Sequence, residues 1–423
     1  SIARNLLEGH GFSMNIAPPY ESETTVTPGY PFFVAGIYVI SGGSRIAVVL
    51  IQLLLNLVLL AMLYRFIAKR FGERAALLVG VLFILELNIA IFTNQITTET
   101  LFTFFFIPTL ILIVQGFKQE RITWLKVIGA GLLLGAATLV RPMLLYFGVP
   151  LLLFALLSRF RWRKLLGWGL IVGLQLACIA PWVIRNRVVF GETFYSTVSD
   201  MNLMRYHAVP LKARLDGISR EEAARQLTEE ALQGKTYQNT PQYFRIVGAE
   251  ARRYLLKHPL SYVGISIVGG LGTLVSPLSL HETGVYFGGQ KDPPGESIMV
   301  QMLAELSNGR IISVLKMAWN ERLSYYGTAV AVLFLIYGLF HLAKLGLGLR
   351  AYIIRGLKDP VMLLFLLTGI YSLSLLGLAV VPRLRVPVEP LLVSLAGIGI
   401  VARRVKKQAS EHKRRAKKGV AED

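Results

Sequence analysis

The sequence predicts an all-α, polytopic membrane protein, and three observations carry that expectation. Of its 423 residues, 54% are hydrophobic and only 17% are charged. At least nine runs are apolar and long enough to cross a hydrocarbon core, which takes about 20 residues as a helix. The Lys and Arg residues gather in short segments between those runs. Lipid offers no hydrogen-bond partners, so each run must satisfy its own backbone and be helical.

The net charge of +20 would fit a nucleic-acid binder, but its distribution argues against one. The basic clusters are Arg65 to Arg74, Lys118 to Lys126, Arg159 to Lys164, Lys344 to Lys358, and the tail from Arg403 to Lys418. They fall on alternate connections, which is the positive-inside pattern and assigns those connections to the cytoplasm. No base-reading or aromatic module accompanies the charge, and the basic tail suits anionic headgroups. The one cysteine, Cys178, lies inside an apolar run, so no disulfide framework exists.

Taken in order, residues 1–44 form a first outer segment with juxtamembrane helices. Spans follow near 45–64, 75–93, 99–117, 124–140, 142–158 and 165–184. An outer helical region covers 185–258, a hydrophobic segment lies near 259–277, and an outer loop covers 278–321. Spans near 322–345, 359–380 and 386–402 close the transmembrane domain, 1–402, ahead of a basic cytoplasmic tail, 403–423. The 259–277 segment breaks the alternation of sides. Its Gly269-Gly270 and Gly272 suit a re-entrant or interfacial helix, unless part of 298–320 also crosses.

Within the outer region, Ser219-Arg220-Glu221-Glu222 is a capping box opening a helix to about Gln233, with Gly234 as its stop. Thr240-Pro241 starts a second helix, with Phe244, Val247, Ala251 and Tyr254 on one face and Pro259 at its end. Bracing of the bundle is the expected role of both. At the start of the chain, Ile2, Ala3, Leu6 and Leu7 make a helical apolar stripe that Gly9 or Gly11 ends.

The polar residues at the outer ends of the spans are the candidates for chemistry. Glu99 follows Asn94-Gln95-Ile96-Thr97-Thr98 and precedes a strongly apolar run. A carboxylate there is functional by default, although an acid at a helix start is also favoured by the dipole. Arg141, before Pro142, stands against the positive-inside bias and so calls for an anionic partner. Glu99 itself or a bound phosphate would serve equally. Arg383 and Arg385, one residue apart at the last outer turn, could together grip a phosphate or diphosphate. Headgroup anchoring is the simpler alternative for them, and the favoured reading of Arg185, Asn186 and Arg187 beside Trp182. The chain has no phosphate-binding loop with lysine, no H-E-x-x-H and no paired cysteines. His10 near Glu8 does not make a metal site, so a divalent cation is left open.

Several landmarks occur in order. Ala3-Arg4-Asn5-Leu6-Leu7-Glu8-Gly9-His10-Gly11-Phe12 is followed by Thr27-Pro28-Gly29-Tyr30-Pro31 and Thr98-Glu99-Thr100-Leu101-Phe102. Next come Ala137-Thr138-Leu139-Val140-Arg141-Pro142, Ala180-Pro181-Trp182-Val183-Ile184-Arg185-Asn186 with Val189-Phe190-Gly191, and the stretch from Arg383 to Pro390. Together they resemble bacterial membrane glycosyltransferases of the GT-C class, whose relatives include protein O-mannosyltransferases and lipid A aminoarabinose transferases. The resemblance spans essentially the whole chain. It implies a GT-C-like helix bundle in the bacterial inner membrane, with its active site outside the cytoplasm. It also implies inverting transfer of a sugar from a polyprenyl-phosphate donor to a lipid, glycan or protein acceptor. Glu99 is then the catalytic acid present. Arg141, Arg383 and Arg385 would hold the phosphate, and Tyr30, Asn94, Arg185 and Asn186 complete the substrate-binding set.

The sequence departs from that family in two respects. The family's first acid precedes the segment matching Ile2-Ala3-Arg4-Asn5, and Glu8, Glu21 and Glu23 do not match it. The expectation is an N-terminally truncated enzyme, inactive as given, that lacks the first helix. A basic residue often found before the Pro-Gly motif is also replaced, by Val26 and Thr27. The main rival is a lipid-linked-sugar flippase or secondary transporter. It is disfavoured because the notable charges sit at span ends and no repeat relates the halves. A non-catalytic scaffold is a third reading.

Overall fold

In the computed structural model, the described residues are 2–117, 122–158, 162–235, 241–276, 305, 309–318, 328–375 and 382–402. All regular elements among them are helices. They are α1 (Ile2–Leu7), α2 (Gly29–Ser41), α3 (Arg45–Phe71), α4 (Glu73–Ile84), α5 (Leu87–Thr93) and α6 (Glu99–Gly116). There follow α7 (Trp124–Val140), a 3₁₀ turn (Pro142–Leu144), α8 (Gly148–Leu157), α9 (Trp162–Phe190) and α10 (Val198–Asn202). A π turn (Leu203–Ala208) leads to α11 (Val209–Asp216), α12 (Arg220–Leu232), α13 (Pro241–Lys257) and α14 (Pro259–Val275). The chain continues with α15 (Ile311–Ala318), α16 (Thr328–Arg355) and α17 (Pro360–Ser374), then a 3₁₀ segment (Pro382–Val388) and α18 (Glu389–Val401). The expected 278–321 loop and 403–423 tail lie mostly or wholly outside the described residues.

This is a multi-pass membrane protein. Among the described residues, five helices are long and apolar enough to cross a membrane, or up to seven if each of two bent pairs is one span. The nine apolar runs of the sequence also include three shorter apolar helices. Trp124–Val140, Pro142–Leu157 and Pro360–Ser374 are apolar but fall in the 10–17 residue class. The 75–93 run bends by 55° between α4 and α5. Glu86, at that break, leaves helical geometry with φ −78° and ψ 96°. Helix α14 meets α13 at 102°, the geometry of a broken span or re-entrant loop, in line with its departure from the alternation.

Helix α3 shows how the sequence sorts its faces. Val48, Gln52, Asn56, Leu59 and Leu63 are buried, while Leu50, Leu53, Leu54 and Leu57 are exposed on the other side. Such an outer face is stable only against lipid. Helices α6 and α18 are enclosed by their neighbours, with buried residues around nearly the whole circumference. At one end of the bundle, here the basic end, Arg70 pairs with Asp359 at 3.5 Å. There Arg350 also donates to the terminal carbonyls of Ile400 and Ala402 at 3.2 Å each. Lys344 does not belong to that end. It is buried within the bundle, which corrects its placement in a basic cluster.

A second, smaller core joins the π turn, α11, α12 and α13 through Met204, Leu211, Leu227, Val247, Ala251 and Tyr254. The capping box is formed as expected, with Ser219 Oγ accepting from the Glu222 backbone N–H at 3.1 Å. Gln233 takes the left-handed C-cap position at φ 48°. Burial among these helices, where Nδ1 meets the Tyr262 hydroxyl at 2.9 Å, lowers the His207 pKa to about 4.

Candidate functional site

The site is assembled at the end of the bundle opposite the basic end, by backbone carbonyls fixed from neighbouring helices. Gln52 of α3 donates to the carbonyls of Thr93 and Gln95, both at 2.8 Å. Asn56 donates to Thr93 Oγ1 at 2.6 Å. These bonds fix the turn 94–98 and so the point where α6 begins. Tyr30 donates its hydroxyl to Gln52 Oε1 at 2.9 Å, bracing the same turn from α2.

The end of α7 is set similarly. Thr27 donates to the Val140 carbonyl at 2.9 Å, and Tyr195 to the Thr138 carbonyl at 2.7 Å. A Cβ at Gly29 would lie 2.7–2.8 Å from backbone atoms of Leu139 and Val140, so the Pro28-Gly29 motif admits no side chain there. Arg141 caps α7 in an extended conformation, φ −141° and ψ 126°, which turns its side chain back across the helix ends.

Three charged groups from three elements meet as a result. Glu99, the first residue of α6, is fully buried. Its Oε1 accepts from Arg141 Nη1 at 3.1 Å and from Arg383 Nε at 2.6 Å. Its Oε2 is buried, as is the hydroxyl of Thr97 in the turn before it. Each guanidinium lies near an aromatic ring: Arg141 is 5.8 Å from Phe102, and Arg383 is 5.6 Å from Phe92. Glu99 is sealed, but the side chains of Arg141 and Arg383 remain 16% and 36% exposed. Two guanidiniums converging on one carboxylate, with side chains part-exposed, are the residue type that binds a further anion through charge-assisted hydrogen bonds.

Other expected site residues lie apart from this cluster. Arg385 is turned into the bundle, so it does not share a grip with Arg383. Its Nε donates to Glu389 Oε1 at 2.6 Å, and its Nη1 reaches the carbonyls of Thr273, Leu274 and Ser276 at 2.6, 2.9 and 2.6 Å. The turning angle of 3₁₀ geometry sends neighbours at i and i+2 to different sides. Asn94 is exposed and donates to the Ala90 carbonyl at 3.1 Å. Asn186 is buried and holds the carbonyls of Phe194 and Tyr195, both at 3.1 Å. Arg185 sits among Trp182, Phe190 and Phe12, at 4.8, 5.3 and 5.7 Å, an aromatic setting consistent with its anchor reading. No group of three or more His, Cys, Asp or Glu able to hold a metal occurs among the described residues. His10 instead stacks on Tyr20 at 4.0 Å.

A second charged cluster was missed by the sequence reading. Glu86, Lys344, Arg385 and Glu389 are all buried, joined by Asn88 and Tyr337. Lys344 bonds Glu86 Oε2 and also Glu389 Oε2, the latter at 2.7 Å. One signal was available: Tyr337, His341 and Lys344 are spaced to share a helix face, and Glu86 interrupts an apolar run.

Helix composition and this arginine-lined end define a polytopic, all-α membrane protein with an ionised site at one end of its bundle. Residues 25–184 match the family model described as dolichyl-phosphate-mannose-protein mannosyltransferase. The matched stretch contains Glu99 and Arg141 and falls in the class to which the sequence landmarks point. Two solved structures are similar, both of ArnT from Cupriavidus metallidurans. The apo form is 15% identical over 94% of this chain and 70% of that one, with a TM-score of 0.37. The form bound to undecaprenyl phosphate is 16% identical over 94% and 71%, with a TM-score of 0.42. No curated protein matches the chain.

Proposed function

We propose that this chain is a membrane glycosyltransferase that uses a polyprenyl-phosphate-linked sugar and works at the end of the bundle opposite its basic clusters. By the positive-inside argument that end faces away from the cytoplasm. The observation that carries the reading is the convergence of Arg141 and Arg383 on Glu99 at the ends of apolar helices. A lipid-linked donor would reach such a place sideways from the bilayer, with its phosphate at the interface. The match of residues 25–184 to the mannosyltransferase model supports the same class.

In this mechanism Arg141 and Arg383 hold the donor phosphate through charge-assisted hydrogen bonds. The acceptor hydroxyl oxygen bonds to the anomeric carbon as the bond from that carbon to the phosphate oxygen breaks. The electron pair stays with the departing polyprenyl phosphate, where the two guanidiniums stabilise it. Attack from the face opposite the phosphate inverts the configuration. The hydroxyl proton passes to the Glu99 carboxylate, which is buried in this structure and which donor binding to the two arginines must first uncover. Since Glu99 Oε1 is held by two cations, the carboxylate is a weak base, and the leaving-group side supplies most of the acceleration. The acceptor is a lipid, glycan or protein hydroxyl.

Binding of a polyprenyl phosphate to the chain in lipid nanodiscs tests the proposal, beside sugar release from the glycosylated donor. Arg141→Ala and Arg383→Ala should each weaken binding by about tenfold or more, the loss expected for a charge-assisted hydrogen bond of about 1.5–3 kcal/mol. Unchanged affinity in both variants would refute the site. The flippase or transporter reading draws on one observation, the buried ionic cluster of Glu86, Lys344 and Glu389, since charges inside a bundle often line transport pathways. Donor binding with translocation and no sugar release would favour it.

A further inference from the structure

The buried cluster and the candidate site are joined by one short element, the 3₁₀ segment Pro382–Val388. From it Arg383 reaches Glu99 while Arg385 reaches Glu389, the first residue of α18. Lys344 of α16 links Glu389 to Glu86. Asn88 Nδ2 donates to Glu86 Oε1 at 3.2 Å, and lies 3.3 Å from Glu389 Oε1 and from the Tyr337 hydroxyl. Glu86 in turn caps α5, and α5 carries Phe92, the ring against which Arg383 lies. The contacts therefore close a circuit: Arg383, Phe92, Glu86, Lys344, Glu389, Arg385, and back to Arg383.

Within this circuit the ionic part holds two carboxylates and two cations, none more than 1% exposed. Such an assembly contributes little stability over an apolar replacement of equal volume, because desolvation offsets the attraction. Its directional bonds do fix position. Arg385 ties Pro382–Val388 to the C-terminal end of α14 through the carbonyls of Thr273, Leu274 and Ser276.

We propose that Glu86, Lys344, Arg385 and Glu389 form a positioning frame that holds Arg383 where it can engage an anionic donor, so that Lys344, far from the site along the chain, sets donor affinity. The proposal rests on the phosphate-binding role given to Arg383 above. Lys344→Met leaves two buried carboxylates sharing one cation, and Glu389 is then free to draw Arg385 and its segment inward. Glu86→Gln combined with Lys344→Met restores the balance and leaves the Arg385–Glu389 pair intact.

The test is a double-mutant cycle on polyprenyl-phosphate binding by the whole chain in nanodiscs. Lys344→Met should weaken binding by about tenfold, within the range shown by coupled neighbours. Glu86→Gln/Lys344→Met should return it to within about threefold of the parent, a smaller shift than such coupling produces. In an Arg383→Ala background, Lys344→Met should have no further effect, because the residue through which it acts is gone. A merely structural role would give additive losses in both backgrounds and no recovery in the balanced variant, and that result would overturn the proposal. If Lys344→Met does not fold, the balanced double variant carries the test. Parent-like affinity that depends on Arg383 then supports the frame, and lost affinity in folded protein overturns it. No polyprenyl-phosphate binding by the parent would instead remove the functional reading, and with it this one.

Discussion

At Arg385 the guanidinium points into the bundle, toward Glu389 and three carbonyls, whereas Arg383 lies half-exposed against Phe92 and Glu99. Replacing the two should therefore have different consequences. Arg385→Leu leaves Glu389 partly uncompensated and should destabilise the protein by about 3–5 kcal/mol, the usual cost of breaking a buried pair. Arg383→Ala leaves Glu99 paired with Arg141 and should cost much less, with its main effect on anion binding. Thermal unfolding of both variants in the same nanodiscs measures the difference, and equal losses would contradict it. Glu99, Arg141 and Arg383 were legible in the sequence because each is an isolated charge at the end of an apolar run, where solvation cannot explain it. The Lys344 network was not, because its partners are far away in sequence. A lysine among the arginines that follow it also reads as part of a cytoplasmic cluster.

Among the elements, the approach of α2 to the end of α7 is set by backbone rather than side chain. Gly29→Ala would place a methyl 2.7–2.8 Å from Leu139 and Val140 backbone atoms. We expect a loss of about 1–3 kcal/mol, typical of overpacking, together with weaker anion binding as Arg141 shifts. Unfolding midpoints and binding in the same preparation would show both. The outer helices offer a pH test through His207, whose pKa is held at about 4 by burial against an ordinary value of 6.5. The unfolded chain takes up this proton near pH 6.5 and the folded one only near pH 4. Stability is therefore full above about 6.5, falls as the pH drops to about 4, and levels off below it. Hydrogen-exchange protection in α11–α13, taken relative to the intrinsic rate at each pH, should fall across that window in the parent and lose that dependence in His207→Gln. The helices carrying these features were readable, since Ser219 with Glu222 and the Pro241 start are local signals. The break at Glu86 was not, because it is made by a tertiary ion pair rather than by a proline or glycine.

For the molecule as a whole, the sequence indicated an all-α membrane bundle, and its apolar runs outnumber the long apolar helices among the described residues. Apolar content identifies what lies in lipid or core but not helix length, and α7, α8 and α17 are among the shorter apolar helices. The region around α14 stayed ambiguous for a related reason: its turn of 102° from α13 has no counterpart in hydropathy. The candidate site depends on this architecture, since its three charges come from the start of α6, the end of α7 and the segment before α18. The most direct measurement is the affinity of the chain in nanodiscs for a polyprenyl phosphate, compared across the parent, Arg141→Ala, Arg383→Ala and Glu99→Gln. The two arginine variants should bind about tenfold more weakly or worse, while Glu99→Gln still binds and slows any sugar transfer by about 100-fold or more. Parent-like binding in both arginine variants, or full-rate transfer by Glu99→Gln, would contradict the assignment of this site.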